Sequence, residues 1–281
     1  MAVGGAALRL RAVRVAAARR EPPVLRLHTI SYSHYVEKVR WCMDRLGVPY
    51  EEVRNAGILG VLLTGRTVPW LEVPPGLTRI SESSRILRCL WGEYCGRLPP
   101  ERVAFLEPTP AALELEALLD RRLGNDVRVW AYSRIFRRRD LTLRTWGCHE
   151  PGVPGWQRAL LYACTPLLRF AVRRMLGVTE ARGVAALERT HQSFATIDAL
   201  LADGRRHLCG DRLSYVDITF ASLAALALLP PEYTGRSLHG PPIAPADLDD
   251  AWRAEVEALR ARPAGRYALA LYRDHRLAGP G

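Results

Sequence analysis

Residues 24–47 read VLRLHTISYSHYVEKVRWCMDRLG. The first part is a short apolar run, which predicts a β-strand, and a polar turn containing Ser31 and Ser33 follows it. After the turn, apolar residues recur at helical spacing, at Val36, Val39, Met43 and Leu46. A helix start carries unpaired N–H groups and a partial positive charge, so an anion is favoured beside it. The stretch therefore predicts a strand, a turn and a helix whose first turn faces an anion.

The next 50 residues extend this unit. Further strands are predicted at 48–53, 67–73 and 77–80. The first of these completes a βαβ unit, so its two strands should be parallel with a right-handed crossover. Pro69 must lie at a strand start or edge, in a cis or trans peptide. A second amphipathic helix follows, with Ser81 as its expected cap.

The pattern beyond Leu98-Pro99-Pro100 is helical, with no convincing strand. A helix opens at Thr109-Pro110 and is expected to break at Gly124-Asn125. Later helices are expected at 157–176, 181–203, 214–229, 247–260 and 263–276. We therefore expect a disordered leader at 1–23, an α/β domain at 24–97 and an all-helical domain at 98–281.

The helix after Leu213 has the clearest start signal in the chain. Ser214 and Asp217 have the spacing of a capping box, and Leu213 and Ile218 that of its hydrophobic staple. Apolar residues then surround the whole helix, which predicts a buried central position. In this interpretation Asp217 is structural.

Composition excludes some classes of function. The net charge is +11, but every basic residue except Lys38 is arginine and the arginines are scattered, so a nucleic-acid surface is not indicated. The most apolar stretch, 159–176, contains Pro166 and three arginines, and it is interpreted as a buried helix rather than a stable membrane insertion.

The cysteines and the N-terminus bear on the compartment. The six cysteines form no CxxC and no zinc-type spacing with histidine, so reduced thiols in a cytoplasmic compartment and no metal are expected. Residues 1–23 are rich in arginine but lack Ser and Thr. A disordered leader is favoured over an organelle-targeting peptide.

The order of elements resembles the thioredoxin-like fold. Thioredoxins carry CxxC at the first helix, whereas the matching positions here are Ser33, His34, Tyr35 and Val36. Dithiol redox chemistry is excluded at this turn because it has neither an attacking nor a resolving thiol.

Three motifs in order resemble the glutathione transferases of the serine type: SHYVEKVR at 33–40, TVP at 67–69 and ESSRIL at 82–87. The segment CGDRLSYVDITFA, which contains the capping box, resembles a helix of their C-terminal domain. The sequence departs from the family at His34, where proline is common, and in the longer connection at 54–66.

The resemblance implies that Ser33 is the catalytic hydroxyl, which donates a hydrogen bond to the glutathione sulfur. It also implies a glutathione site that includes Val68, cis-Pro69, Glu82 and Ser83. Val68 would pair with the cysteinyl unit through its backbone. Glu82 and Ser83 would hold the γ-glutamyl end.

Simpler interpretations stay open for each residue. Ser31 and Tyr32 are neighbours that could replace Ser33, and all three serve as candidate glutathione contacts. Ser33 could instead be only an N-cap. Glu82 and Ser83 could only cap a helix, and His34 is expected at the surface.

Two features of the helical region concern the second substrate. Tyr132, with Trp130, Arg134 and Arg137, could line an acceptor pocket, although a core position is favoured for Trp130. The Pro/Gly-rich segment 230–249 is long for a loop and is typical of a lid or a docking segment.

The expected activity is conjugation of glutathione, the co-substrate, to a small hydrophobic electrophile, with a role in detoxification. A homodimer is expected from the family only. The alternatives are glutathione-dependent peroxide reduction, dehalogenation or isomerisation at the same site, and a non-catalytic relative that binds ligands or proteins.

Overall fold

A computed structural model describes residues 24–64, 68–73, 78–238 and 240–278. The expected leader at 1–23 and Thr67 lie outside the described residues. Four strands form one mixed sheet: β1 (Leu25–Ile30), β2 (Tyr50–Asn55), β3 (Trp70–Val73) and β4 (Thr78–Ser81), in the order β2-β1-β3-β4. β1 and β2 are parallel, and the other neighbouring pairs are antiparallel.

Helix α1 (His34–Leu46) makes the crossover between the parallel strands. Its apolar stripe, which the sequence predicted, is buried at Val36, Val39, Met43 and Leu46. Gly47 ends the helix in the left-handed conformation (φ 68°), and its N–H donates to the carbonyls of Met43 and Asp44. The strand, turn and helix of residues 24–47 therefore form as predicted.

The remaining helices follow in chain order. They are α2 (Leu59–Thr64), α3 (Ser83–Tyr94), α4 (Pro100–Val103), α5 (Pro110–Arg121), α6 (Leu123–Ile135), α7 (Arg139–Thr145), α8 (Gly155–Leu176), α9 (Glu180–Leu201), α10 (Tyr215–Leu228), α11 (Asp250–Arg260) and α12 (Pro263–His275). Short 3₁₀ turns lie at Ala104–Leu106 and Pro245–Asp247. A small mixed sheet followed by a helical region is the thioredoxin-like plus all-helical architecture that the resemblance implied.

Helix α10 is the centre of the helical region, and it packs against α1, α5, α6 and α12. Every one of its residues is buried. The predicted capping box is present: the Ser214 N–H donates to Asp217 Oδ2 at 2.7 Å, and the Val216 N–H donates to the Ser214 hydroxyl at 3.3 Å. The start of the core helix is thus satisfied by its own sequence.

The structure corrects two expectations and adds short helices that the sequence did not predict. β3 begins at Trp70, because Val68 and Pro69 lie before the ladder. Two short helices, α2 and α7, occupy segments too short for a helical period to be visible in the sequence. Finally, the stretch 159–176 is not a wholly buried helix, since α8 exposes one complete face to solvent. No helix among the described residues is long and apolar enough to cross a membrane.

Candidate functional site

The three motifs of the sequence meet at one edge of the sheet. His28 of β1 pairs with Trp70 of β3, and Trp70 pairs with Ser81 of β4. Because β3 is antiparallel to both neighbours, the end of β1, the start of β3 and the end of β4 lie side by side. The turn at 31–33, the Val68-Pro69 peptide and the start of α3 therefore share this edge.

A cleft of about 320 Å³ opens between this edge and the helical region. Its lining is mostly apolar and comes from both parts of the chain. The sheet side contributes Ile30, Tyr32, Ser33, His34, Tyr35, Gly57, Ile58, Val61 and Val68, and the helical side contributes Arg128, Tyr132, Thr145, Trp146, Val172, Met175, Leu176 and Leu226. A polar turn thus faces an apolar wall across one cavity, as in many small-molecule sites.

Ser33 is the residue before α1, and it lines the cleft in a half-buried position. Its backbone is extended (φ −74°, ψ 126°), and its N–H donates to the Ile30 carbonyl at 3.0 Å. The hydroxyl makes no capping bond to the helix, and none of the described residues forms a hydrogen bond with it. The Ser33 hydroxyl is therefore available to a ligand at the positive end of α1.

Tyr32 also lines the cleft, but its hydroxyl is already engaged. It donates to Glu150 Oε1 at 2.5 Å. Burial, together with this carboxylate, raises the pKa of Tyr32 well above its usual value. A neutral phenol committed to a carboxylate is a poorer donor to a ligand sulfur than a free hydroxyl.

Ser31 does not line the cleft. Its side chain is fully buried, and its hydroxyl has no hydrogen-bond partner among the described residues. It faces Gly147, where an added Cβ would come within 2.8 Å of the Ser31 hydroxyl. The structure therefore separates Ser31 from Ser33, although only one residue lies between them.

The peptide bond between Val68 and Pro69 is cis, one of the two forms that the sequence left open for Pro69. Val68 is half-buried and lines the cleft, while Pro69 is buried. Val68 precedes the first ladder residue of β3, so its backbone is not used in sheet pairing. The amide and carbonyl of Val68 are thus placed to meet an extended ligand.

Glu82 and Ser83 stand at the start of α3 and do not line this cleft. Glu82 is exposed and has a positive φ of 75°, which is unusual for a residue other than glycine. Ser83 is buried. The Glu82 side chain makes no capping hydrogen bond to α3, so the simpler capping interpretation of Glu82 has no support in the geometry.

His34 is not at the surface, as the sequence suggested, but buried. Its Nε2 donates to the Gly124 carbonyl at 3.0 Å, in the tautomer that carries the proton there. Burial, with a smaller contribution from the charge of Arg128, lowers the pKa of His34 to about 3. The imidazole is therefore a neutral anchor between α1 and α6.

The turn is also held from behind by the 230–249 segment. The Tyr233 hydroxyl donates to the Tyr32 carbonyl at 2.9 Å, and the Thr234 N–H donates to Glu37 Oε1 at 3.2 Å. Arg276, near the C-terminal end, donates to the same Glu37 oxygen at 2.7 Å. Sequence alone could mark this segment as unusual but could not find its partners.

Of the residues expected to line the acceptor pocket, one lines the cleft and the others lie elsewhere. Tyr132 lines the cleft, whereas Trp130 is core and donates its Nε1–H to Glu255 at 3.1 Å. Arg134 pairs with the same carboxylate, and Arg137 pairs with Glu180 at 2.9 Å. Arg128, Trp146 and Met175 line the cleft without having been predicted, because they lie on helices, or directly after one, that carry no motif.

Lys38, the only lysine, is fully buried between α1 and α5. Its ammonium lies 2.7 Å from Glu116 Oε1 and 3.0 Å from Asp120 Oδ2, and it donates to the Ser84 hydroxyl at 3.2 Å. This cluster ties the start of α3 to the helical region. Among the residues that the structure describes, no group of three or more side chains is suited to hold a metal ion.

Comparison with family models matches residues 156–261 to the glutathione S-transferase C-terminal domain. This stretch of the helical region is similar to the C-terminal domain of the glutathione S-transferases. Comparison with curated protein sequences gives no match.

Among solved structures, the glutathione S-transferase CsGST63524 of Ceriporiopsis subvermispora in complex with glutathione is 18% identical, with a TM-score of 0.57 over 92% of this chain and 100% of that one. FzlA from C. crescentus is 18% identical, with a TM-score of 0.49 over 89% of this chain and 98% of that one. A theta class glutathione S-transferase from Xanthomonas axonopodis pv. citri is 20% identical, with a TM-score of 0.46 over 88% and 97%. The Ceriporiopsis match supports a shared glutathione S-transferase fold.

Proposed function

We propose that this protein is a glutathione transferase in which Ser33 donates a hydrogen bond to the sulfur of bound glutathione. The observation that carries the proposal is the contrast within one turn. Ser33 presents an unengaged hydroxyl to the cleft, whereas the Tyr32 hydroxyl is held by Glu150 and Ser31 is buried against Gly147. Of the three candidates, Ser33 alone combines exposure to the cleft with a free donor.

The chemistry follows from this position. A thiol of about pKa 8.5 is mostly neutral at pH 7, and helix N-termini with nearby donors lower such values to about 3.5–7.5. The Ser33 hydroxyl and the first turn of α1 stabilise the thiolate, and the thiol proton leaves to solvent. The sulfur then attacks the electrophile, a carbon–sulfur bond forms, and any leaving group departs with its electron pair.

Three further contacts complete the proposed glutathione site. The Val68 backbone, beside cis-Pro69, pairs with the cysteinyl unit, because its N–H and C=O are not used in the sheet ladder. Glu82 and Ser83 hold the γ-glutamyl end, since the register of β3 and β4 supports their position next to Val68. Tyr32 contributes a wall through its ring, and Ser31 supports the turn from inside.

The second substrate is proposed to be a small hydrophobic electrophile. The wall opposite Ser33 is apolar or aromatic, at Ile58, Tyr132, Trp146 and Met175. Among the described residues that line the cleft, Arg128 is the one that carries a charge, and it suits an electrophile that bears or develops negative charge.

The proposal includes a division into a glutathione-binding domain at 24–97 and a helical domain at 98–281, with assembly as a homodimer. It also includes a reducing compartment such as the cytoplasm, because all six cysteines are free thiols.

The test measures glutathione binding by calorimetry and conjugation to 1-chloro-2,4-dinitrobenzene. We expect millimolar or tighter binding and measurable turnover. Ser33→Ala should retain binding and lose most of the turnover, and Tyr32→Phe serves as the matched control in the same turn. Binding without conjugation, but with reduction of cumene hydroperoxide, would identify a peroxidase. Absence of binding at millimolar glutathione would refute the proposal and favour a non-catalytic relative.

A further inference from the structure

Helix α8 has two apolar faces, of which only one is covered. The inner face is buried at Leu161, Thr165, Leu168 and Val172. At its N-terminal end, Gln157 accepts from the Ala56 N–H at 2.8 Å and donates to Asn55 Oδ1 at 3.2 Å. The inner face therefore fixes the helix against the rest of the molecule.

The other face carries large apolar side chains in solvent. Trp156, Leu160, Leu167 and Phe170 follow one another at intervals of four, seven and three residues, which places them in one stripe along the helix. We call these four residues the outer stripe. Trp156 is 55% exposed, Leu167 66% and Phe170 64%. A continuous row of exposed apolar side chains marks an interaction surface rather than scattered surface variation.

The charge around the outer stripe has a single sign. α8 contains Arg158, Arg169, Arg173 and Arg174 and has no acidic residue along its length. Arg139 adds to this side of the molecule, since it donates to the Tyr162 carbonyl of α8 at 2.7 Å. None of the four α8 arginines has an acidic partner within the described part of the chain. At about 3.6 residues per turn, Arg174 lies in line with the outer stripe and Arg173 flanks it, and both are exposed, whereas Arg158 and Arg169 are half-buried toward the inner face. The C-terminal end of the apolar row thus carries unpaired positive charge.

This positive charge favours one binding partner for the outer stripe over the others. A second copy of α8 packed against the first offers no acidic residue to pair with Arg173 and Arg174. Residues 1–23 carry five arginines and one glutamate, so the N-terminal segment would also add like charge. An anionic lipid surface offers an apolar interior for the outer stripe and negative headgroups for the arginines.

We propose that the outer stripe of α8 docks this protein reversibly on the surface of an anionic phospholipid bilayer. The inner face stays packed in the fold, so the helix lies in the headgroup region and does not cross the bilayer. The same helix contributes Val172, Met175 and Leu176 to the cleft, and docking therefore holds that wall of the cleft next to the lipid. Docking does not depend on glutathione chemistry, so either proposal can fail without the other.

The experiment is co-flotation of the full chain with vesicles of phosphatidylcholine containing about 30 mol % phosphatidylserine, beside vesicles of phosphatidylcholine alone. We expect binding to the anionic vesicles, which weakens as salt is raised. The variant Leu167→Glu/Phe170→Glu should lower the fraction bound by about tenfold or more. The matched control, Leu113→Glu/Val184→Glu, changes two exposed apolar residues on other helices by the same charge and should bind like the parent.

Circular dichroism should give equal melting temperatures for the two double variants, because all four positions are exposed. Leu167→Ala/Phe170→Ala keeps the charge and should still weaken binding by about threefold or more. If the parent binds neither vesicle, or if the outer-stripe and control variants bind equally well, the proposal is wrong. Self-association of the parent that the outer-stripe variant abolishes, without vesicle binding, would assign the surface to a second copy and also overturn it.

Discussion

Among the described helices, α1 and α10 begin after a serine, and the two serines are used differently. At α10, Ser214 and Asp217 satisfy each other: Asp217 accepts from the Ser214 N–H and hydroxyl, the Leu208 N–H and the Tyr267 hydroxyl, at 2.6–2.8 Å. At α1, the hydroxyl of Ser33 bonds to none of the described residues. The start of α10 is therefore complete without a ligand, whereas the start of α1 is open toward the cleft.

The physical difference lies in what holds each helix start in place. α10 is fixed by residues within ten positions of Ser214, apart from Tyr267. The turn before α1 is fixed by distant groups, namely the Gly124 carbonyl on His34 and the Tyr233 hydroxyl on Tyr32. Because tertiary contacts carry the structural role at α1, its serine is released from capping. A serine at a helix start therefore indicates a binding role only when something else holds the helix.

The largest expected effect comes from Asp217. Asp217→Ala leaves several buried donors unpaired, and we expect it to lower the free energy of unfolding by about 3 kcal/mol or more. Urea denaturation measures this value. The control is Asp249→Ala at the start of α11, where the exposed carboxylate accepts from the Trp252 N–H and from no other group among the described residues. A cost of about 1 kcal/mol is expected there. Equal costs at both positions would contradict the structural role of Asp217.

The next effect concerns activity at the other helix start. If the proposed function holds, Ser33→Ala should lower kcat/KM for glutathione conjugation by about 100-fold, because a donor to the developing or resting thiolate is lost. The pH profile of turnover should move to higher pH, since the bound thiol then ionises less readily. Tyr32→Phe should change kcat/KM by less than about threefold. The reverse ranking would assign the sulfur contact to Tyr32.

The pH dependence of stability tests the anchoring role of His34, the residue next to Ser33. His34 stays neutral in the folded protein to about pH 3, whereas the unfolded chain takes up this proton near pH 6.5. Between these values the unfolded state binds more protons, so stability falls as pH falls. The contribution is about 2 kcal/mol between pH 7 and pH 5. The variant His34→Gln keeps a donor for the Gly124 carbonyl and should lose this part of the pH slope. An identical slope in parent and variant would disprove the anchor role.

A smaller effect is expected from Tyr233. Tyr233→Phe removes the hydrogen bond to the Tyr32 carbonyl and leaves that carbonyl buried, at a cost of about 1–2 kcal/mol. Tyr162→Phe is the matched control, because its hydroxyl bonds to His149 in an exposed position at 3.4 Å. That change should cost less than about 0.5 kcal/mol. Thermal unfolding monitored by circular dichroism can separate the two values.

The smallest expected effect is the difference in stability cost between replacing Ser214 and replacing Ser33, and it compares the two helix starts directly. Ser214→Ala removes a helix cap and should cost about 1 kcal/mol. Ser33→Ala removes no capping bond and should change stability by less than about 0.5 kcal/mol. Both variants are measured in one urea series. A cost at Ser33 equal to that at Ser214 would mean that Ser33 is a cap after all.

Much of the fold was readable from the sequence, because the signals are local. The apolar period of α1, Gly47 as its stop, the capping box and the order of strands and helices depend on neighbouring residues. Short elements such as α2 and α7 were missed, since six or seven residues show no helical period. The exposure of one face of α8 was missed for another reason. The apolar character of a residue does not determine whether another part of the molecule covers it.

The sequence by itself determined that this protein has a thioredoxin-like sheet followed by helices, and that Ser31, Tyr32 and Ser33 lie in the turn before α1. Only the tertiary structure decided which of these three hydroxyls is available to a ligand. Glu150 engages Tyr32, Gly147 closes over Ser31, and His34 and Tyr233 hold the turn so that the Ser33 hydroxyl stays unengaged. In each of these contacts the two groups lie between 90 and 201 residues apart in the sequence. Local sequence fixes backbone conformation, but the availability of a side chain depends on every group that the fold brings near it.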